Sequence, residues 1–454
     1  MRMDYSTLPE YLRVTLSQIN ADDRLNEGIT AMRARMRDRL QADLVGAAIV
    51  PEARAILERA MRAHWEVERA KNAGMASATK AEVVIGGGYH AAVYCAVRHA
   101  MGGEPPLVIE ENDAPGGNSF GCTLKPSFWA NSRNRAGDAN VPGEDGGLNT
   151  IPGALVQPSM LSSAEFQSNA DIAFCIRLAL AMYGKVAVGK RAVAANQTNG
   201  DIGPSARTTI TVEGDERRAD IRARRLIVAT GPGKERKPGN ANEHVLTFTE
   251  FMQRMTRRFP LEGIRRVAVI GSGDGGKCAI EALFGMGPAE HWSVAHLDQI
   301  ERCDWYCQLP NTCEAFRDTT RTRYKRISAL LPNQNRGVNG RSRLNIITSN
   351  SSAVGTTYGA ATVDGRRYDL VVYCGGYEPI RGGNRGAIVV GGRAVAVRTA
   401  FSGAQTYAVG PAAGLDWDET DAGKPWQALN ENKIAMWRLG PFTAALAATP
   451  NPLA

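Results

Sequence analysis

The stretch Ala81–Ala91, AEVVIGGGYHA, constrains this chain more than any other. Val83-Val84-Ile85, preceded by Ala81, is a short apolar run of the kind that forms a buried strand. It ends in Gly86, Gly88 and Ala91, spaced G-x-G-x-x-A, and Tyr94, Cys95 and Val97 then begin a helix. In such a unit the first glycine permits a tight turn and the second lets the backbone come close to a phosphate. The third small residue lets helix pack on strand, and the helix N-terminus contributes amide donors and a partial positive charge. The segment is therefore predicted to cradle a dinucleotide pyrophosphate.

The next strand, Leu107–Ile109, ends at Glu110. Its distance from Gly86 is close to the ~20 residues at which an acid accepts hydrogen bonds from a ribose diol. Further on, the apolar run Leu226-Ile227-Val228 enters Ala229-Thr230-Gly231, a strand end that returns the chain to the same site. A second glycine turn then follows. Val267–Ile270 runs into Gly271-Ser272-Gly273-Asp274-Gly275-Gly276, a full G-x-G-x-x-G, with a helix from Lys277 to Leu283. The strand after it is placed at Trp292–Leu297, ending at Asp298. Two more buried strands are expected, one within Tyr368–Pro379 and one at Thr406–Val409 before Gly410-Pro411. A helix from about Trp426 to Leu446 closes the chain.

Residues 1–80 carry no nucleotide motif. Leu25, Ile29, Met32, Met36, Leu40 and Leu44 recur at helical spacing, and Ile56, Leu57, Ala60, Met61 and Trp65 continue the stripe, with Pro51 expected in a helix's first turn. Such a stripe covers the body of a protein more often than it binds a partner. Dimerisation or a docked protein is the sharper alternative. Between the two units, Gly116–Ser159 is long and irregular, rich in Gly, Asn, Pro and Ser. A loop of that length inside a compact domain usually serves function or is disordered. Phe128, Trp129 and the SRNR tetrad favour function, with Arg133 and Arg135 suited to an anion or to local acids.

Two glycine turns separated by an A-T-G strand resemble the flavoproteins with two dinucleotide-binding domains, over about residues 81–454. That resemblance implies an α/β fold of two Rossmann-like domains, the FAD domain split by an inserted NAD(P) domain, behind an N-terminal helical extension. The expected boundaries are 1–80 for the extension, 81–240 and 363–454 for the FAD domain, and 241–362 for the NAD(P) domain. FAD would be held by Gly86, Gly88, Ala91, Glu110, Gly117, Thr230, Gly231 and Gly410. The nicotinamide nucleotide would be held by Gly271, Gly273, Gly276 and Asp298. Asp298 points to NADH; the basic segment Arg317–Arg343 and the resemblance point to NADPH. Asp369-x-x-x-Tyr373-Cys374-Gly375-Gly376-Tyr377 partly matches a D-x-x-x-(L/F)-A-T-G-Y segment of the single-component flavin monooxygenases, including those that N-hydroxylate amines. The F-x-G-x-x-x-H fingerprint of two other monooxygenase branches is absent. The implied reaction is oxygenation of a small molecule by O2 through a peroxyflavin, with Lys125, Asn131 and Arg133 as catalytic candidates because they follow the first motif.

Other classes fit less well. Disulfide reductases carry C-x-x-x-x-C after the first turn, where only Cys122 stands here, and the C-x-x-C of thioredoxin reductases is missing. Cys303, Cys307 and Cys313 are too loosely spaced for a usual zinc knuckle, and no metal is expected. There is no nucleophile elbow and no nucleic-acid motif, and the net charge of +8 suits an anionic cofactor. No apolar run approaches a membrane span. The N-terminus has no apolar signal core, and eight cysteines read as reduced thiols, so the expected compartment is the cytoplasm. A reductase serving another acceptor, and a nucleotide-binding scaffold without turnover, are the alternative functions.

Overall fold

A computed structural model describes residues 9–21, 45–71, 79–117, 129–131, 166–197, 207–214, 217–231, 235–239, 241–256, 263–271, 274–284, 300–307, 343–349, 353–357, 359–376, 387–390, 393–396, 405–409 and 447–448. In chain order the first elements are α1 (Glu10–Ala21), α2 (Val45–Lys71), β1 (Thr79–Ile85), α3 (Tyr89–Ala100), β2 (Leu107–Ile109), β3 (Trp129–Asn131), β4 (Phe166–Ser168) and α4 (Asn169–Tyr183). Then come β5 (Lys185–Ala187), β6 (Arg191–Gln197), β7 (Thr208–Gly214), β8 (Arg217–Val228), β9 (Val245–Thr247), α5 (Phe248–Thr256), β10 (Arg266–Ile270) and α6 (Asp274–Leu283). The remainder are β11 (Arg302–Cys307), β12 (Leu344–Thr348), β13 (Val354–Thr357), β14 (Ala360–Val363), β15 (Arg366–Tyr368), β16 (Leu370–Tyr373), β17 (Ala387–Val390), β18 (Arg393–Ala396) and β19 (Gln405–Ala408).

The chain forms two compact units, Met1–Thr123 with Ala130–Pro232 and Pro379–Ala454, and Leu124–Trp129 with Gly233–Glu378. In the first unit the sheet order is β5-β2-β1-β8-β7-β6, with β19 also paired to β8. Strands β5, β2, β1, β8 and β19 pair in parallel with one another, whereas β6, β7 and β8 form an antiparallel meander. Val83, Val84 and Ile85 are buried, as an apolar strand flanked by parallel neighbours must be. Ala91, Ala92 and Ala96 of α3 are buried as well, and such small residues allow a helix to approach a sheet closely.

The second unit is built on a parallel sheet, β12-β11-β10-β16-β9. Phe251, Met252 and Met255 of α5 and Cys278, Ile280 and Leu283 of α6 share a core with Val267, Val269 and Trp305. On the other face Ala361, Val363 and Tyr368 of the antiparallel β13-β14-β15 sheet pack with Ala268, Ile270 and Tyr306. The fully buried Asp304 carboxylate accepts hydrogen bonds from the Tyr368 hydroxyl (2.7 Å), Arg302 Nε (2.8 Å) and Asn345 Nδ2 (3.1 Å). Burial raises its pKa, but these hydrogen bonds outweigh that and hold the carboxyl below its ordinary range.

The second unit runs to Glu378, with β16 hydrogen-bonded between β10 and β9. Pro51 lies inside α2, not in a first turn. The Leu25–Leu44 stripe and the Trp426–Leu446 helix fall outside the described residues. Ala53, Leu57, Met61 and Trp65 of α2 are buried, and α2 packs on α1, α4 and β5. That fits the covering role expected of the N-terminal stripe. Among the described residues no helix is long and apolar enough to cross a membrane.

Candidate functional site

The first glycine turn is tight on three sides. Gly86 has φ +97° and donates its N–H to the Ile109 carbonyl at 2.8 Å. A Cβ here would lie 2.5 Å from the Ala229 carbonyl oxygen, so the turn packs directly on the A-T-G strand end. Gly87, the variable position of the motif, is equally demanding: a Cβ would sit 2.7 Å from Glu110 Oε2 and 3.0 Å from Pro115 Cβ. Gly88 differs. It is the N-cap of α3 and brings no capping side chain, and a Cβ on it would meet only the Cα of Gly117, at an ordinary 3.5 Å. The opening is therefore on the Gly88 side, beside the uncapped helix N-terminus, where a phosphate can be received.

Glu110 is buried at the end of β2. Its Oε2 accepts the Gly87 N–H at 2.7 Å, and its Oε1 accepts the Asn112 N–H at 2.9 Å and Asn112 Nδ2 at 2.6 Å. Burial pushes its carboxyl pKa up, against the pull of the Asn112 and Gly87 amides. The acid thus fastens the strand end to the turn, a role its position in the sequence did not suggest. Ala91 is fully buried in α3, and Gly117, at φ +69°, is in close contact with Gly88. At the end of β8 the Thr230 hydroxyl is buried with no hydrogen-bond partner among the described residues. A Cβ on Gly231 would meet nothing within 4 Å. An uncapped helix start, an open glycine and an orphaned hydroxyl fit a bound dinucleotide. His90 is buried with its ring edge-on to Tyr89 at 5.2 Å. Burial lowers its pKa to about 4.

In the second unit Gly271 has φ +108° and donates its N–H to the Tyr306 carbonyl at 3.0 Å. A side chain at Gly271 would run into the Cys374 carbonyl oxygen, and one at Gly276 into the carbonyl of Gly271. Both glycines are therefore required by packing of backbone on backbone. Gly273, Trp292–Leu297 and Asp298 lie outside the described residues. Both β11, Arg302–Cys307, and β16 pair with β10. Asp369 Oδ2 accepts the backbone N–H groups of Arg265 (2.9 Å) and Arg266 (2.8 Å) at the start of β10. The acid of the D-x-x-x segment is thus a brace at the strand end opposite the glycine turn.

Asn131 ends β3, while Lys125, Arg133 and Gly410 lie outside the described residues. Val409, one residue earlier, donates its N–H to the Val228 carbonyl at 3.0 Å, so β19 ends beside the A-T-G strand end. Cys303 and Cys307 are core residues of β11, and burial pushes the Cys303 thiol pKa up. Among the described residues no His, Cys, Asp or Glu group is arranged to hold a metal. Of the basic segment only Arg343 is described; its Nε donates to the Ile300 carbonyl at 2.9 Å, a structural use.

Residues 80–418 match the model of the pyridine nucleotide-disulphide oxidoreductase family. The chain belongs to that family. As a pyridine nucleotide-disulphide oxidoreductase it is an FAD-dependent enzyme that uses a nicotinamide nucleotide. No curated protein matches it by sequence. Among solved structures it is similar to the Kutzneria sp. 744 ornithine N-hydroxylase, with 15% identity over 74% of this chain and 94% of that one, at a TM-score of 0.46. It is similar also to the L-lysine 6-monooxygenase of Pseudomonas syringae, with 16% identity over 77% and 99% and a TM-score of 0.46. The bacillithiol disulfide reductase of Bacillus cereus shows 16% identity over 81% and 99%, at a TM-score of 0.47.

Proposed function

We propose that this oxidoreductase is a monooxygenase that consumes NADPH and O2 to oxygenate a small molecule in the cytoplasm. In this reading the first unit holds FAD at Gly86, Gly88, Ala91, Glu110, Gly117, Thr230, Gly231 and Gly410. The second holds the nicotinamide nucleotide at Gly271, Gly273 and Gly276. The observation that carries the reading is the distribution of cysteines. Thiol–disulfide exchange at the flavin needs two neighbouring sulfurs, yet Cys122 is the single cysteine between Cys95 and Cys175. Cys95 and Cys175 themselves are buried, and burial pushes the Cys95 thiol pKa up, away from the reactive thiolate.

Bound FAD supplies the redox chemistry, and the protein supplies binding, orientation and exclusion of water. The α3 N-terminus neutralises phosphate charge, Gly88 gives it room, and the Thr230 hydroxyl offers a hydrogen bond. Glu110 holds the turn in shape and would accept a hydrogen bond from the ribose. Lys125, Asn131 and Arg133 are the candidates for contact with substrate, and Phe128 and Trp129 for keeping water from the flavin. The family's own disulphide chemistry favours a second reading, in which electrons pass to another acceptor.

The deciding experiment reduces the purified holoenzyme anaerobically with NADPH or NADH, then adds O2 with or without candidate amines. The monooxygenase reading expects NADPH consumption and hydroxylated product in equal amounts with a suitable amine. Release of all reducing equivalents as peroxide with every amine, together with fast reduction of a quinone or disulfide, would establish the reductase instead.

A further inference from the structure

We infer that Arg177, held by Glu58 of the N-terminal helix, positions the Pro115-Gly116-Gly117 turn and thereby sets how tightly the first glycine turn binds FAD. The inference rests on the assignment of FAD to that turn. Arg177 is 5% exposed on α4. Its Nε donates to the Pro115 carbonyl at 2.8 Å, and its Nη1 donates to Glu58 Oε1 at 2.9 Å and Oε2 at 3.2 Å. The next link is short: Gly116 donates its N–H to the Gly87 carbonyl at 2.8 Å. Gly117 then stands against Gly88, so that a Cβ on Gly117 would lie 3.0 Å from the Gly88 Cα. Hydrogen bonds therefore lead from α2 through Arg177 and the Pro115-Gly116 turn to the Gly87 carbonyl, one residue before Gly88 on the open side of the site.

Two further contacts run along the same loop. The Arg69 guanidinium of α2 lies where a Cβ on Gly189 would fall, and Gly189 donates its N–H to the Asn112 carbonyl at 2.9 Å. Arg62 reaches Asp113 at 4.0 Å across exposed side chains, a contact worth little by itself. The N-terminal helix thus follows the segment from Glu110 to Gly117, and its role exceeds cover. Arginine suits the central position because its planar fork offers separate N–H groups to a carbonyl and a carboxylate at once. A lysine has one nitrogen and cannot span both acceptors in this geometry. Glu58 orients the guanidinium; both residues are positioning residues.

The test uses the full chain as purified with FAD. Glu58→Ala, Glu58→Gln, Arg177→Lys and Gly88→Val are compared for flavin retained, FAD dissociation constant from fluorescence, and KM for NADPH at saturating FAD. Loss of an orienting partner is expected to weaken FAD binding about tenfold in Glu58→Ala and Arg177→Lys. Excess FAD restores kcat, the KM for NADPH stays unchanged, and Glu58→Gln, which keeps an acceptor, falls between wild type and Glu58→Ala. Glu58 is only half-buried and its removal leaves the helix backbone intact, so Glu58→Ala decides the matter if Arg177→Lys does not fold. A wild-type FAD dissociation constant in Glu58→Ala, with flavin lost from Gly88→Val, would overturn the positioning role and leave the FAD site standing. Full flavin in Gly88→Val would remove the FAD assignment, and the inference with it.

Discussion

The indole of Trp305 donates a 2.9 Å hydrogen bond to the carbonyl of Gly271, the first residue of the second glycine turn. Trp305 is fully buried on β11, directly beneath the place where Gly276 closes on the same carbonyl. Trp305→Phe keeps most of the packing and removes the donor. We expect stability to fall by about 1–3 kcal/mol. The KM for the nicotinamide nucleotide should rise several-fold while kcat at saturation changes little. Stopped-flow reduction of the flavin over a range of nucleotide concentrations checks the split between binding and rate.

Gly88 offers a sharper contrast. An added methyl meets only the Gly117 Cα at 3.5 Å, so Gly88→Ala leaves the protein's own contacts nearly intact, and Gly88→Val adds two γ-carbons beside it. In the proposed reading each would fill space that a phosphate needs, the branched side chain more so. Both variants are expected to fold, with flavin content falling from wild type to Ala to Val. The ratio of flavin to protein absorbance in the purified proteins reads the series.

Thr230→Val separates stability from binding. The Thr230 hydroxyl is buried and lacks a hydrogen-bond partner among the described residues, so replacing it with an apolar isostere removes an uncompensated desolvation cost. The flavin-free variant is expected to melt at or above the wild-type temperature. Its FAD dissociation constant should nonetheless rise about threefold to tenfold, the value of one neutral hydrogen bond. Melting curves with and without FAD measure both effects on one sample.

His90 carries a pH signature. Burial lowers its pKa to about 4, whereas the unfolded chain takes up the proton near ~6.5. The unfolded state therefore binds the proton first, and stability is full above pH ~6.5 and falls as pH drops toward 4, by up to about 1.4 kcal/mol per pH unit. Glu110, with its raised pKa, works in the opposite direction, its contribution being lost as pH rises. The His90 effect is thus read as a difference: His90→Gln should lose less stability than wild type between pH 7 and pH 5 in urea denaturation.

What was legible in the sequence was local. Strands β1, β2, β10 and β19, helices α3 and α6 and both glycine turns follow from apolar runs and glycine spacing within a dozen residues. What was missed depends on partners far along the chain. RCDWYC hardly reads as a buried strand because Asp304 interrupts it, and Asp304 is acceptable there only because Tyr368 and Asn345 arrive from later strands. The strand the sequence suggested at Trp292–Leu297 lies outside the described residues. Gly87 fills a variable position of the motif, and its need for glycine comes from Glu110 and Pro115 packed against it. Nothing local marks Trp305 or Arg177, whose acceptors, the Gly271 carbonyl for Trp305 and the Pro115 carbonyl and Glu58 carboxylate for Arg177, lie far along the chain.

The sheet of the first unit takes β8 beside β1, and β19 beside β8, from opposite ends of the intervening second unit. Arg98 of α3, paired with Glu82, also donates to the carbonyl of Ala447 at 3.2 Å. Emerging from a ribosome, the nearly contiguous second unit can close as soon as β16 is made. The first must wait, its β8 edge bare, until the last fifty residues appear. During that interval its unpaired strand is open to other chains, so slower release of the C-terminus should cost soluble yield before it costs activity.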